Sequence, residues 1–162
     1  MEFDIDVSGE DIFNDSYTIV VANNKGIIRG FKFAREMIRI IKSRYGEGTY
    51  KYRISKQGKS FLRVRLYCVI IHYLLKSLSL PKETILTLNI CRDFQGHEKD
   101  ITSNLKYFLG NLLGLKLNIY YIKLSDESNA DKYAYLMRKD EQNLMKGYVQ
   151  ISLEDIERYL IK

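Results

Sequence analysis

Three aspartates stand far apart in this chain, at points where one folded sheet could bring them together: Asp6, Asp93 and Asp131. Asp6 and Asp93 each end an apolar run, and Asp131 opens a helix-like segment that follows a third run. Phosphoryl transfer by two metal ions needs several carboxylates that different elements of a scaffold deliver to one place. The three positions therefore predict a site for two Mg²⁺ or Mn²⁺ ions. Asp4, on the same side of its run as Asp6, is a further candidate metal ligand.

The elements that must position these residues follow from hydrophobic periodicity. Alternating or near-continuous apolar runs predict strands at residues 2–7, 17–22, 26–33, 84–91 and 115–124, with a hairpin turn at 23–26. Apolar residues spaced by three and four predict helices at residues 34–44, 61–79, 101–113 and from about 130. A short strand at 148–151 precedes a last helix that Ser152 opens. Residues 49–55 fit either a strand or an extended basic excursion.

The order of these elements predicts one α/β domain over residues 1–162, with helices on both faces of a mixed sheet. The sheet is expected to be antiparallel early and to contain βαβ units later, with residues 147–162 as a strand-helix extension. Ligands bind beyond the carboxyl ends of the strands in such sheets. Asp6 and Asp93 would therefore approach each other if their strands are neighbours.

Basic residues are concentrated between residues 25 and 65, where thirteen lysines and arginines accompany two glutamates. This local excess of eleven positive charges is larger than the whole-chain net charge of +6. The concentration indicates a polyanionic partner, and a solvated face of a lysine-rich protein is the alternative. The predicted nucleic-acid contacts are basic side chains and two rings able to stack on bases: Lys51, Arg53, Lys56, Lys59, Tyr50 and Tyr52.

In its opening hairpin, its later βαβ units and these aspartate segments, the chain resembles the ribonuclease H-like superfamily over residues 2–137. In that superfamily the first-strand aspartate precedes small residues, as in Asp6-Val7-Ser8-Gly9, and the middle acid ends the fourth strand, as Asp93 does. A late Ala-Asp helix opening is matched by Ala130-Asp131. The chain looks most like an archaeal branch that has no established substrate. The resemblance implies Mg²⁺- or Mn²⁺-dependent phosphodiester hydrolysis on RNA, DNA or a hybrid.

One departure from the superfamily concerns a further acid. Members that cut RNA in hybrids usually carry a glutamate on the long helix before the fourth strand, whereas residues 61–79 contain no acid. Asp4, Glu36 and Glu98 are the residues that could take its place. His97 could assist proton transfer or product release, or be an ordinary surface histidine.

Two functions of different classes follow from these residues. The first is a metal-dependent nuclease or nuclease-like nucleic-acid processing protein, and the second is a non-catalytic nucleic-acid-binding or assembly module on the same fold. Cys68 and Cys91 lack zinc-ligand spacing, and the sequence contains no Gly-rich phosphate loop, GxSxG elbow or HExxH. The acidic N-terminus lacks the pattern of a signal peptide, and no apolar run is long enough to span a bilayer. We therefore expect a soluble, cytoplasmic protein.

Overall fold

A five-stranded sheet in the order β3-β2-β1-β4-β5 forms the centre of the computed structural model, which describes residues 1–92 and 94–161. The strands are β1 (Glu2–Ser8), β2 (Thr18–Ala22), β3 (Ile28–Lys32), β4 (Ile85–Cys91) and β5 (Lys116–Ile122). The helices are α1 (Arg35–Gly46), α2 (Lys56–Lys76), α3 (Glu98–Leu105), α4 (Asn129–Lys139) and α5 (Leu153–Glu157). A π-helical segment, Lys106–Leu112, continues α3. The predicted α/β class is confirmed.

Strand β1 lies in the middle of the sheet and joins its two halves. It pairs antiparallel with β2 and parallel with β4, so Asp4 stands between Ala22 on one side and Asn89 on the other. β2 and β3 form an antiparallel pair, and β4 and β5 run parallel. The predicted hairpin and the mixed sheet are therefore confirmed. Because β1 and β4 are parallel neighbours, their carboxyl ends lie at the same edge of the sheet.

The two faces of the sheet are covered unequally. On one face, Phe3 and Ile5 of β1 are fully buried in the main core together with the apolar side of α2. On the other face, Ala130, Ala134 and Met137 of α4 pack against β2 in a smaller cluster. The small alanines let α4 lie close to the strands. This second face is the one on which the acidic side chains of β1 stand.

The sequence predicted the start of α2 too late. The helix begins at Lys56 rather than at residue 61, because Ser55 caps it by accepting a hydrogen bond from the Gly58 N–H at 3.0 Å. The first turn is polar and therefore carries no apolar periodicity. Residues 49–55 form an irregular loop. Of the two alternatives for this segment, the strand is therefore wrong.

The C-terminal segment packs on the body of the domain. The strand predicted at residues 148–151 is reduced to a single parallel bridge between Tyr148 and Gly30. Ser152 opens α5 with a capping box, as predicted. Ile156 and Leu160 belong to the main core, so this extension contributes to the same hydrophobic interior as the sheet.

No helix within residues 1–92 and 94–161 combines the length and the apolar content that crossing a membrane requires.

Candidate functional site

Strand β1 carries a row of three acids on the face that α4 covers. Glu2, Asp4 and Asp6 share this face because successive side chains of a strand alternate. Val20, the partner of Asp6 on β2, packs in the cluster beneath α4. Asp6 is only 5 % exposed, and its Oδ1 accepts a hydrogen bond from the Val7 N–H at 2.8 Å. Asp6 is thus a buried carboxylate near the carboxyl end of the central strand.

Two hydrogen bonds fix α4 alongside β1. Ser128, which precedes the helix, donates through Oγ to Asp4 Oδ2 at 2.9 Å, and Arg138 near the helix end donates through Nε to Ser8 Oγ at 2.8 Å. Both elements therefore run in the same direction. The helix follows the acidic row of β1 from its second acid to the end of the strand.

This alignment puts Asp131 and Asp6 at similar distances along the parallel axes of α4 and β1. Asp131 is three residues after Ser128, about 4.5 Å along a helix, and Asp6 is two residues after Asp4, about 6.8 Å along a strand. Asp131 is half-buried. It also lies on the same side of α4 as Arg138, because seven residues make nearly two full turns. Asp131 on α4 and Asp6 on β1 therefore lie at about the same level along the contact between the helix and the strand.

The third aspartate, Asp93, lies outside the described residues. Its neighbours in the chain are anchored at the end of β4. Arg92 donates through Nε to the Tyr121 carbonyl oxygen at 3.1 Å, and the Phe94 ring lies 4.8 Å from the Tyr67 ring. β4 is the parallel neighbour of β1, so the carboxyl ends of these two strands lie at the same edge of the sheet.

Carboxylates such as those of Asp6 and Asp131 are suitable ligands for Mg²⁺, a hard cation that retains several water ligands in protein sites. Among the described residues, no group of three or more histidine, cysteine, aspartate or glutamate side chains is placed to hold a metal ion. Mg²⁺ differs from metals that need a closed cage, because one or two carboxylates together with substrate phosphates are enough to bind it. Asp6 and Asp131 are carboxylates of the kind that such a site uses.

Asp4 has a structural task at this site. Its Oδ1 accepts a hydrogen bond from Asn89 Nδ2 at 3.0 Å, and its Oδ2 accepts the bond from Ser128. Asn89 also donates to Glu2 Oε2 at 2.8 Å. This network links β1, β4 and the start of α4. Asp4 therefore fixes the start of α4, and with it the level of Asp131 along the axis of β1.

Helix α2 brings no acid to the site. It contains no aspartate or glutamate along its whole length. The side chain that it packs against Phe94, directly after Asp93, is the fully buried Tyr67. One turn earlier, Arg63 makes a two-bond ion pair with Asp11 at 3.0 and 2.9 Å. The side of α2 that lies near Phe94 and Asp11 thus carries aromatic and basic side chains.

The other acids proposed as substitutes, and the loop histidine, have local partners. Glu36 accepts two hydrogen bonds from Arg39 on the same turn of α1, and the arginine holds the pKa of that carboxyl below its usual range. Glu98 begins α3, and its backbone oxygen accepts a bond from the Tyr121 hydroxyl at 3.0 Å. His97 is half-buried, with Nδ1 3.9 Å from an Asp100 oxygen. None of these contacts connects them to Asp6.

Three of the predicted nucleic-acid cations lie in an anchored segment, residues 51–56, which leads into the first residue of α2 and is here named the basic loop. Tyr45 accepts a bond from the Ser55 N–H at 3.2 Å and donates to the Arg53 carbonyl oxygen at 2.6 Å. The Lys51 N–H donates to the Leu160 carbonyl oxygen at 3.0 Å. Lys51, Arg53 and Lys56 nevertheless have exposed side chains. The loop therefore presents these charges from a fixed backbone.

The two tyrosines predicted to stack on bases are packed inward. Tyr50 is only 4 % exposed and donates from its hydroxyl to Glu157 Oε2 at 2.8 Å. Tyr52 is half-buried against the main core, and burial raises its pKa to about 12. In this conformation the Tyr50 ring is not available to a base. Lys59 lies over the Phe13 ring at 5.2 Å, which places the start of α2 beside the loop that follows β1.

Two basic residues that contact or adjoin α4 were not singled out by the sequence analysis. Arg138 contacts the end of β1 through Ser8, and Lys32, at the end of β3, donates from Nζ to the Asp140 carbonyl oxygen. A seven-residue spacing from Asp131 was the signal available for Arg138, because it puts both residues on one side of a helix. Lys32 was counted in the basic stretch but had no sequence feature that joined it to α4.

Comparison with known proteins adds no family to this picture: no protein-family model matches the chain, and no curated protein is significantly similar to it in sequence.

Proposed function

We propose that this protein is a metal-dependent nuclease or nuclease-like nucleic-acid processing protein of ribonuclease H-like architecture. The observation that carries the proposal is the junction of β1, β4 and α4. The junction holds α4 against β1 through the Ser128–Asp4 and Arg138–Ser8 hydrogen bonds, which supports an approach of Asp131 to the buried Asp6, and it makes β4 the parallel neighbour of β1. The opening antiparallel hairpin followed by parallel βαβ units agrees with the resemblance noted in the sequence.

The residues have distinct parts in the proposed chemistry. Asp6 and Asp131 would hold Mg²⁺ from β1 and α4, and Asp93 would add a third carboxylate. When bound, a pair of such ions supplies an activated water and stabilises the leaving oxygen of a phosphodiester. Asp4 positions α4 through Ser128, and Arg138 offers a cation to the phosphate backbone beside the site.

A second function, a non-catalytic nucleic-acid-binding or assembly module, is favoured by one observation. Helix α2 presents Tyr67 and Arg63, and no acid, on the side that faces the carboxyl ends of β1 and β4. A site one carboxylate short binds metal more weakly, while the basic surfaces remain able to bind a polyanion. The two functions share the same fold and differ in whether phosphodiester bonds are cut.

A cleavage assay separates the two functions. Purified protein is incubated with Mg²⁺ or Mn²⁺ and labelled single-stranded, duplex, hybrid and branched nucleic acids. The nuclease proposal expects cleavage of at least one class, its loss in Asp93→Asn and Asp6→Asn, and unchanged or tighter metal-free binding in those variants, because removing a carboxylate charge reduces repulsion of phosphate. Binding of these substrates without cleavage would establish the second function. Cleavage that persists in both variants would place the chemistry elsewhere.

A further inference from the structure

A cleft of about 530 Å³ opens at the carboxyl end of β1, between the end of β3, the start of α1 and the end of α4. We refer to it as the basic cleft. Its cationic lining consists of Lys32, Arg35, Arg138 and Lys139. Two stretches distant in sequence, residues 32–35 and 138–139, thus bring their positive charges to one concave surface. Two acids, Asp15 and Glu141, also line it, so cations outnumber anions by two.

Only part of this positive charge is balanced within the protein, where the charges of Asp140, Asp15 and Glu141 act on Lys32. Among the described residues, only Arg35 of the four cations forms an ion pair, with Asp15 at 3.4 Å, and the side chains of that pair are 86 % and 47 % exposed. Such an exposed pair contributes little and exchanges readily with another anion. Lys32 donates to a backbone carbonyl, and Arg138 donates to a serine hydroxyl. Lys139 lies over the Tyr135 ring at 5.8 Å.

The start of α1 adds backbone donors to the same cleft. Its N-cap is Ala34, in an extended conformation, and no side chain caps the helix. Alanine is among the poorest N-cap residues, since it has no oxygen to accept the free N–H groups of the first turn. Ala34 and Arg35 both line the cleft. An oxyanion in the cleft would meet these N–H groups together with the cationic side chains.

The cleft is joined to the candidate site by one residue. Arg138 lines the cleft and donates to Ser8, and Ser8 is two residues after Asp6 on the same face of β1. A strand of nucleic acid with one phosphodiester at Asp6 would therefore direct a neighbouring phosphate towards Arg138 and the cleft. From this arrangement we infer that the basic cleft binds a backbone phosphate of the substrate strand, next to the phosphodiester held at Asp6 and Asp131. This inference rests on the proposed function for the identity of the strand.

Its test measures binding without metal, so that it does not depend on cleavage. A labelled single-stranded oligonucleotide is titrated in EDTA against wild type, Arg35→Gln, Lys139→Gln and the control Lys82→Gln. The control removes one exposed lysine from the loop before β4, at the other end of the sheet. Loss of one charge-assisted contact should weaken binding by about tenfold in each cleft variant. The slope of log affinity against log salt should fall by about 0.7, the value for one single-strand phosphate.

A second arm identifies the contacted phosphate. A set of oligonucleotides is made in which each carries one neutral methylphosphonate linkage at a different position. A methylphosphonate at one position should weaken binding to wild type but have little further effect on binding to Lys139→Gln. The reason is that the phosphate charge and the Lys139 charge form one interaction, which either change removes. If the cleft variants bind as tightly as Lys82→Gln and no linkage shows this coupling, the inference is wrong even if the protein cleaves nucleic acid. Coupling in a protein that never cleaves would overturn the nuclease proposal and leave the inference standing.

Discussion

His72 is expected to make the stability of this protein depend on pH in the mildly acidic range. It lies on α2 with 2 % exposure, among the rings of Tyr73, Phe108 and Tyr159 at 4.9, 5.2 and 5.9 Å. Burial first, and then repulsion from Lys76, lowers its pKa from 6.5 to about 4. The folded protein therefore keeps the ring neutral at a pH where the unfolded chain already binds a proton.

The sign and size of the effect follow from proton linkage. A histidine whose pKa is lowered in the folded state favours unfolding as pH falls, because the unfolded state gains its proton first. With pKa values of 6.5 and about 4, the free energy of unfolding should fall by about 2 kcal/mol between pH 7 and pH 5. The acids with lowered pKa, such as Asp11 and Asp155, contribute mainly below this window.

Urea unfolding followed by circular dichroism at pH 7, 6 and 5 measures this loss directly. His72→Phe removes the titrating group and keeps an aromatic ring in the cluster, so its unfolding free energy should vary little over this range. His97→Gln, at the half-exposed histidine, is the matched control and should retain the wild-type dependence. If His72→Phe loses stability with falling pH as steeply as wild type does, the assignment of the effect to His72 is refuted.

Three further predictions concern the basic loop and its support. Gly58→Ala would place a methyl carbon 1.9 Å from the Arg53 carbonyl oxygen, so urea unfolding should show destabilisation of about 1–3 kcal/mol; wild-type stability would contradict that packing. Arg53→Glu combined with Lys56→Glu should weaken nucleic-acid binding and flatten its salt dependence, and unchanged binding would remove the loop from the contact surface. Tyr50→Phe should cost about 1–3 kcal/mol by leaving the buried Glu157 with one bond fewer, yet leave nucleic-acid affinity unchanged; weaker binding would show that Tyr50 contacts the ligand.

The strands of this fold were predictable because each carries its own signal. Alternation in β1 and the apolar run of β4 identified both elements and the face on which Asp4 and Asp6 stand. That β1 and β4 are neighbours, which the candidate site requires, is a tertiary pairing that no local pattern encodes. The sequence could state this adjacency only as a condition.

The errors came from contacts between distant parts of the chain. Tyr50 was expected on the surface because its neighbours are basic, but Glu157 accepts its hydroxyl and Arg44 pairs with the same carboxylate. Those partners lie 107 and six residues away, and the first cannot be inferred from local composition. The basic residues between 25 and 65 likewise have different roles, because some form ion pairs within the protein and others are exposed. Arg63 is committed to Asp11, while Arg53 and Lys56 remain exposed.

The measurement that tests the central claim most directly is a Mn²⁺ titration. Binding is detected as the loss of the free-ion signal in electron paramagnetic resonance. The proposed site predicts that wild type binds Mn²⁺ and that Asp6→Asn and Asp131→Asn, shown by circular dichroism to be folded, lose this binding. Asp126→Asn, which removes an exposed acid from the loop before α4, should bind as wild type does. Millimolar Mn²⁺ left free by the wild-type protein, or bound equally by Asp6→Asn and Asp131→Asn, would contradict the metal site and the nuclease proposal with it.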